Sequence, residues 1–156
     1  MINPLKHGLR FSPKVIILIT AIVFFGCLDV AGADQGFDIN IEITGATTGR
    51  VMASVYQLED DTETHFLTTK AVFKISGQPD AAGKFRFTIP HLPNVKHAIA
   101  AFEDRNGDGE LNTTLFGLPT EKFGFSQNAK ATFGPPSFAE AAFLPKKTPE
   151  LTIDLN

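Results

Sequence analysis

Nine residues hold the densest chemistry of the chain: Asp104, Arg105, Asn106, Gly107, Asp108, Gly109, Glu110, Leu111 and Asn112. Oxygen-bearing side chains fall at relative positions 1, 3, 5 and 9, glycine at 6, and the main-chain carbonyl of Glu110 at 7. This is the opening of an EF-hand-type calcium loop, in which glycine makes the sharp turn and alternate residues converge on one hard cation. Position 12, where such loops carry a bidentate glutamate, is Leu115. Glu121 is the carboxylate expected to return past Pro119 and complete the shell. The expected Ca²⁺ ligands are therefore Asp104, Asn106, Asp108, the carbonyl of Glu110, Asn112 and Glu121. Without the position-12 ligand, the expected affinity is that of weak extracellular modules, about 10⁻⁴ to 10⁻³ M. The competing reading of the same residues is a tight turn closed by side-chain-to-backbone hydrogen bonds.

Other chemistry-bearing residues are sparser. Glu59, Asp60, Asp61 and Glu63 read as a solvated acidic loop between strands. His65, His91 and His97 lack metal-ligand spacing. The chain holds no Gly-x-Ser-x-Gly, phosphate loop or His-Glu-x-x-His, so no nucleophile or catalytic-zinc motif is present. Two converging carboxylates remain able to serve as acid and base in a hydrolase or lyase acting on an extracellular polymer. A formal net charge of −3 argues against nucleic acid as a partner.

The elements that must position the acidic loop are strands. Phe37, Ile39, Ile41 and Ile43 alternate with polar residues, and after residues 45–49 (GATTG) Val51, Ala53 and Val55 do the same. The two runs read as a hairpin. Residues 71–75 form a short candidate. Phe85, Phe87 and Ile89 alternate next, and Pro90 and Pro93 are expected to end that strand. Residues 96–103 (KHAIAAFE) read as an interior strand of small residues, and Leu151, Ile153 and Leu155 supply the last strand. Residues 137–143 give the one hint of helical spacing in this part of the chain. The expected fold is an all-β, mostly antiparallel β-sandwich of immunoglobulin or prealbumin type, with Ile39, Ile41, Val55, Phe85 and Phe87 inside. Between residues 104 and 137 lies one long connection, and such connections are functional or disordered. Phe116, Phe123, Phe125, Phe133, Phe138 and Phe143 fall in or just after it, so an ordered excursion pinned by aromatics is expected, with at least one Phe free for a ligand.

At the N-terminus Lys6, Arg10 and Lys14 precede a 13-residue apolar run at residues 15–27, followed by Ala31-Gly32-Ala33. That order is a secretory signal, with cleavage expected before Asp34, and the run is shorter than a membrane span. Residues 1–33 are thus read as signal peptide and 34–156 as one domain. A lipoprotein box at Gly26-Cys27, placing a lipid on Cys27, is the lesser alternative, because Phe24 and Phe25 stand where small residues belong. After cleavage 11 basic residues face 16 acidic ones and no cysteine remains, which excludes disulfides and catalytic thiols. The expected location is the periplasm or the exterior.

Asp104-x-Asn106-x-Asp108-Gly109, then residues 116–121 (FGLPTE), then Gly124-Phe125-Ser126 and Asn128 resemble a bacterial exported family catalogued as a domain of unknown function, number 2141. The likeness extends from Ile41, Ile43, Gly45 and Gly49-Arg50-Val51 through Phe87 and Leu92-Pro93 to Pro136-Ser137-Phe138 and Ala141-Ala142-Phe143. It implies an exported, β-rich, sandwich-like domain without assigned activity. Where the family usually has Pro-Gly-x-Tyr-Ala, this chain has Asn94-Val95-Lys96-His97-Ala98. The resulting expectation is an exported, non-enzymatic β-sandwich that binds Ca²⁺ and presents its long Phe/Gly loop to an envelope or extracellular ligand. Membrane contact is expected only through the signal segment or a lipid on Cys27.

Overall fold

The structure, a computed structural model, describes residues 36–58, 66, 70–130 and 134–156. The signal segment with Cys27, the acidic run at residues 59–63, His65 and Phe133 lie outside the described residues.

Among the described residues seven strands form two sheets: β1 (Phe37–Thr44), β2 (Arg50–Gln57), β3 (Phe73–Gly77), β4 (Phe85–Leu92), β5 (His97–Asp104), β6 (Phe123–Phe125) and β7 (Glu150–Asp154). One sheet runs β4-β1-β7 and the other β3-β2-β5-β6. All pairs are antiparallel except β1 with β7. The all-β sandwich is therefore as the alternation requires. Ile39, Ile41 and Ile43 of β1 pack against Val51, Ala53 and Val55 of β2, Ile99 and Ala101 of β5, and Leu151 and Ile153 of β7.

The hairpin does not form. β1 pairs with β4 and β7, whereas β2 pairs with β3 and β5. Period-2 alternation fixes which face of a strand is apolar, and two strands of opposite sheets satisfy it as well as two neighbours do. Residues 45–49 therefore cross between sheets. Gly45 makes the departure at φ +87, where a Cβ would lie 2.6 Å from the Leu155 carbonyl oxygen.

Pro90 does not end β4 either. The register slips between Phe37/Leu92 and Ile39/Ile89, so one extra residue of β4 is bulged out on an edge strand. The bulge accommodates the missing N–H of Pro90 and leaves His91 at φ +55, with its N–H donating to Asp38 Oδ1 (2.9 Å). Phe85 and Phe87 lie on this edge strand and are half-buried rather than fully enclosed, although they pack on the core.

The long connection after β5 contains β6, which pairs with the outer edge of β5. Phe123 and Phe125 face away from the sandwich interior, over Ala100. There they join Tyr56, Phe66, Phe138 and Ala141 in a second apolar layer. The ring of Phe66 lies 5.0 Å from Phe125 and 5.9 Å from Phe138, centroid to centroid. Small residues on β5 (Ala98, Ala100) let these rings approach the sheet. The helical hint becomes a single turn, α1 (Phe138–Ala141), opened by a reciprocal capping box between Ser137 and Glu140. Among the described residues no helix is long and apolar enough to cross a membrane.

Candidate functional site

β5 ends in two acidic residues with opposite orientations. Glu103 continues the inward face of Ile99 and Ala101 and is fully buried; Asp104 is 4% exposed and begins the loop.

Asp104 folds the loop onto itself. Its Oδ1 accepts from the Gly107 N–H (2.6 Å) and its Oδ2 from the Gly109 N–H (3.0 Å). Both glycines have left-handed backbones, at φ +81 and +78. Asp108 is surrounded by donors. The Glu110 N–H reaches Oδ1 (2.9 Å), and the amides of Asn106 and Asn112 reach Oδ2 (2.8 Å each). These bonds, that of the Asn112 amide foremost, hold the Asp108 carboxyl below the usual carboxylate range. The amide donors also offset the crowding of oxygen side chains that this alternate spacing creates.

Glu121 does return past Pro119. Its carboxylate meets the loop through backbone donors, with the Arg105 N–H on Oε1 (2.8 Å) and the Asn112 N–H on Oε2 (3.1 Å). The buried Glu121 thus straps the two ends of the acidic turn together. Of the expected ligand residues, Asp104, Asn106, Asp108 and Asn112 are joined in one hydrogen-bonded turn and Glu121 clamps it. Among the described residues no three carboxylate or imidazole side chains gather closely enough to hold a metal ion.

Beyond the clamp the chain runs out to a tip. The Thr120 N–H donates to the Asn112 carbonyl (2.9 Å), and Thr113 bridges Pro119. The Thr114 N–H donates to the Leu118 carbonyl (2.7 Å), the Gly117 N–H returns to the Thr114 carbonyl (2.9 Å), and the Leu118 N–H reaches Thr114 Oγ1 (3.2 Å). Leu115 and Phe116 occupy the turn and stand 102% and 91% exposed; Leu118 is 65% exposed.

Two further polar groups were not singled out by motif. The first is Glu103, whose Oε1 accepts from the N–H groups of Thr47 (2.7 Å), Thr48 (2.7 Å) and Gly49 (2.8 Å) and from the Thr47 hydroxyl (2.8 Å). Burial opposes ionisation, but these bonds, led by that from Gly49, outweigh it and hold the carboxyl at about 2. The signal that could have found it is its place in the alternation, an acid on the apolar face of residues 97–103. The second is His97. It is fully buried beside Phe143, and its Nδ1 lies 2.8 Å from the Val95 carbonyl. A carbonyl only accepts, so Nδ1 carries the proton and Nε2 is left without a partner. Burial pushes the imidazole below its usual range, against the bond to Val95. His91 is an exposed bulge residue at the far edge of the other sheet.

No curated protein and no solved structure matches the chain. Residues 39–152, from the first buried isoleucine of β1 to the middle of β7, match the family described as "Uncharacterized protein conserved in bacteria (DUF2141)". The match spans both sheets and the whole acidic loop, and the chain belongs to the DUF2141 family.

Proposed function

We propose that this domain is an exported, non-enzymatic binding module that meets its ligand through the loop tip at residues 111–120. The carrying observation is the near-complete exposure of Leu115 and Phe116 on a loop whose base is fastened by the buried Asp104 and Glu121. Leaving a large apolar side chain in water forgoes roughly 1.5–3 kcal/mol of burial. An ordered loop that holds such residues outward has the character of a contact surface. Export follows from the basic, apolar and small-residue order of residues 1–33.

Site-specific photo-crosslinking tests the reading. With a photoreactive side chain at position 116, in protein made in a bacterial host, adducts are expected. The same group at Thr88, on the polar outer face of β4, is expected to give severalfold fewer. Equal yields at the two positions, or none at 116, would overturn it.

Ca²⁺ belongs to the same reading as a brace for the base of the loop. A carboxylate offers about four lone-pair sites, and Asp104 uses two of them on the loop's own N–H groups. Asn106 Oδ1 likewise accepts from the Asp108 N–H (3.2 Å), so one of its lone pairs is also engaged within the turn. At tenfold saturation a weak site adds about 1.4 kcal/mol, a rise of roughly 5 °C in Tm for a domain of this size. Melting in 5–10 mM CaCl₂ and in chelator checks this; identical curves would leave only the hydrogen-bonded turn.

A further inference from the structure

Building on the reading of the tip as a contact surface, we infer that its occupant is a lipid bilayer, with Leu115, Phe116 and Leu118 entering the interface.

Two observations favour a bilayer over a protein pocket. First, residues 111–120 (LNTTLFGLPT) carry no charge, so nothing at the tip resists transfer out of water as an ion would. Secondly, Leu115 and Phe116 project almost wholly free of their own fold, making a convex point. A convex apolar point needs a matching cavity in a protein but none in a fluid bilayer. Behind it Asn112, Thr113, Thr114 and Thr120 supply a polar collar at headgroup depth, and Asp108 and Glu110 lie at the base of the loop. That arrangement suits shallow insertion into a neutral surface.

The absence of tryptophan from the chain makes the test local. In full-length Phe116→Trp the only indole sits at the tip, so its emission reports that site regardless of what the apolar run at residues 15–27 does. With phosphatidylcholine vesicles, a blue shift, protection from acrylamide and quenching by lipids brominated high on the acyl chain are expected. Adding Leu118→Asp should weaken the vesicle response by about tenfold or more, because a charge then enters the inserting turn. Leu115→Trp provides a second reporter should the first substitution disturb the turn. An indole at 116 and at 115 that stays fully accessible to acrylamide would overturn the inference, even where the protein sediments with vesicles. If photo-crosslinks at 116 then fall on protein or polymer, the bilayer inference fails while the contact-surface reading stands; absent crosslinks would remove that reading itself.

Discussion

Glu103→Gln is expected to lower the stability of the domain by about 3 kcal/mol at pH 7 and to erase that same difference at low pH. Gln keeps the shape of the side chain but removes the charge that three convergent N–H groups and the Thr47 hydroxyl stabilise. Hydrogen bonds to a buried charged group contribute roughly 1.5–3 kcal/mol each by truncation and do not add, so a total near the upper figure is reasonable. Linkage gives a similar value. The carboxyl titrates near 4.5 when unfolded and at about 2 when folded, and each unit corresponds to about 1.4 kcal/mol. Because the folded value is depressed, the unfolded chain takes up the proton first as pH falls. The stabilisation is whole above pH 5 and is lost progressively down to about pH 2. Glu42, Asp80, Asp108 and Glu140 are also depressed by their hydrogen-bond donors. The diagnostic quantity is therefore the difference between wild type and variant in urea denaturation at pH 7 and pH 3. A difference below ~1 kcal/mol, or one that does not shrink with acid, would mean that the carboxylate does not hold the crossing between sheets.

Glu103 also shows where the sequence is legible and where it is not. The strands of this fold could be read because each has one buried face, so apolar residues recur every second position along β1, β2, β4 and β7. Partners could not. Ile39, Ile41 and Ile43 face the same interior whether β2 lies beside β1 or opposite it. Only the crossing at residues 45–49, fastened to Glu103 from a strand some fifty positions away, decides between them. β6 escaped for a different reason. Three residues are too few to display a period, and its aromatic side chains point into an outer layer rather than the sandwich interior. At the loop, the spacing of Asp104, Asn106, Asp108 and Gly109 announced a tight wrap, and a tight wrap is present. The neutral amides and backbone N–H groups that satisfy its carboxylates were invisible because any Asn or main-chain donor can do so. An exposed Phe in the long connection was expected and Phe116 is one, but which Phe would project, and that Leu115 would stand beside it, was hidden, since an apolar pair in a loop reads the same whether it anchors or projects.

The second large effect belongs to Ser126, a residue no motif reading assigns a role. β6 stops at Phe125, after which Gln127 and Asn128 take left-handed backbones (φ +60 and +49) and carry the chain away from β5. That departure leaves the Ile99 N–H of β5 without a strand partner, in the interior. The Ser126 hydroxyl fills the vacancy by accepting from Ile99 N–H (2.9 Å), and it donates to the Ala141 carbonyl, left open where α1 ends. Ser126 is wholly buried, so water cannot readily replace either bond. Ser126→Ala therefore leaves two buried backbone groups unsatisfied at about 1–3 kcal/mol each, a loss of roughly 3 kcal/mol by urea denaturation. It also unfastens the outer layer, because this hydroxyl joins β5 to α1, whose Phe138 and Ala141 pack with Phe66 and Phe125. Amide hydrogen exchange at Ile99 should accelerate more than at its β2 partner Val55, which keeps its strand register. Should Ser126→Ala cost under ~1 kcal/mol with Ile99 as protected as before, the hydroxyl is dispensable. The aromatic layer would then hold α1 against the sheet by packing alone.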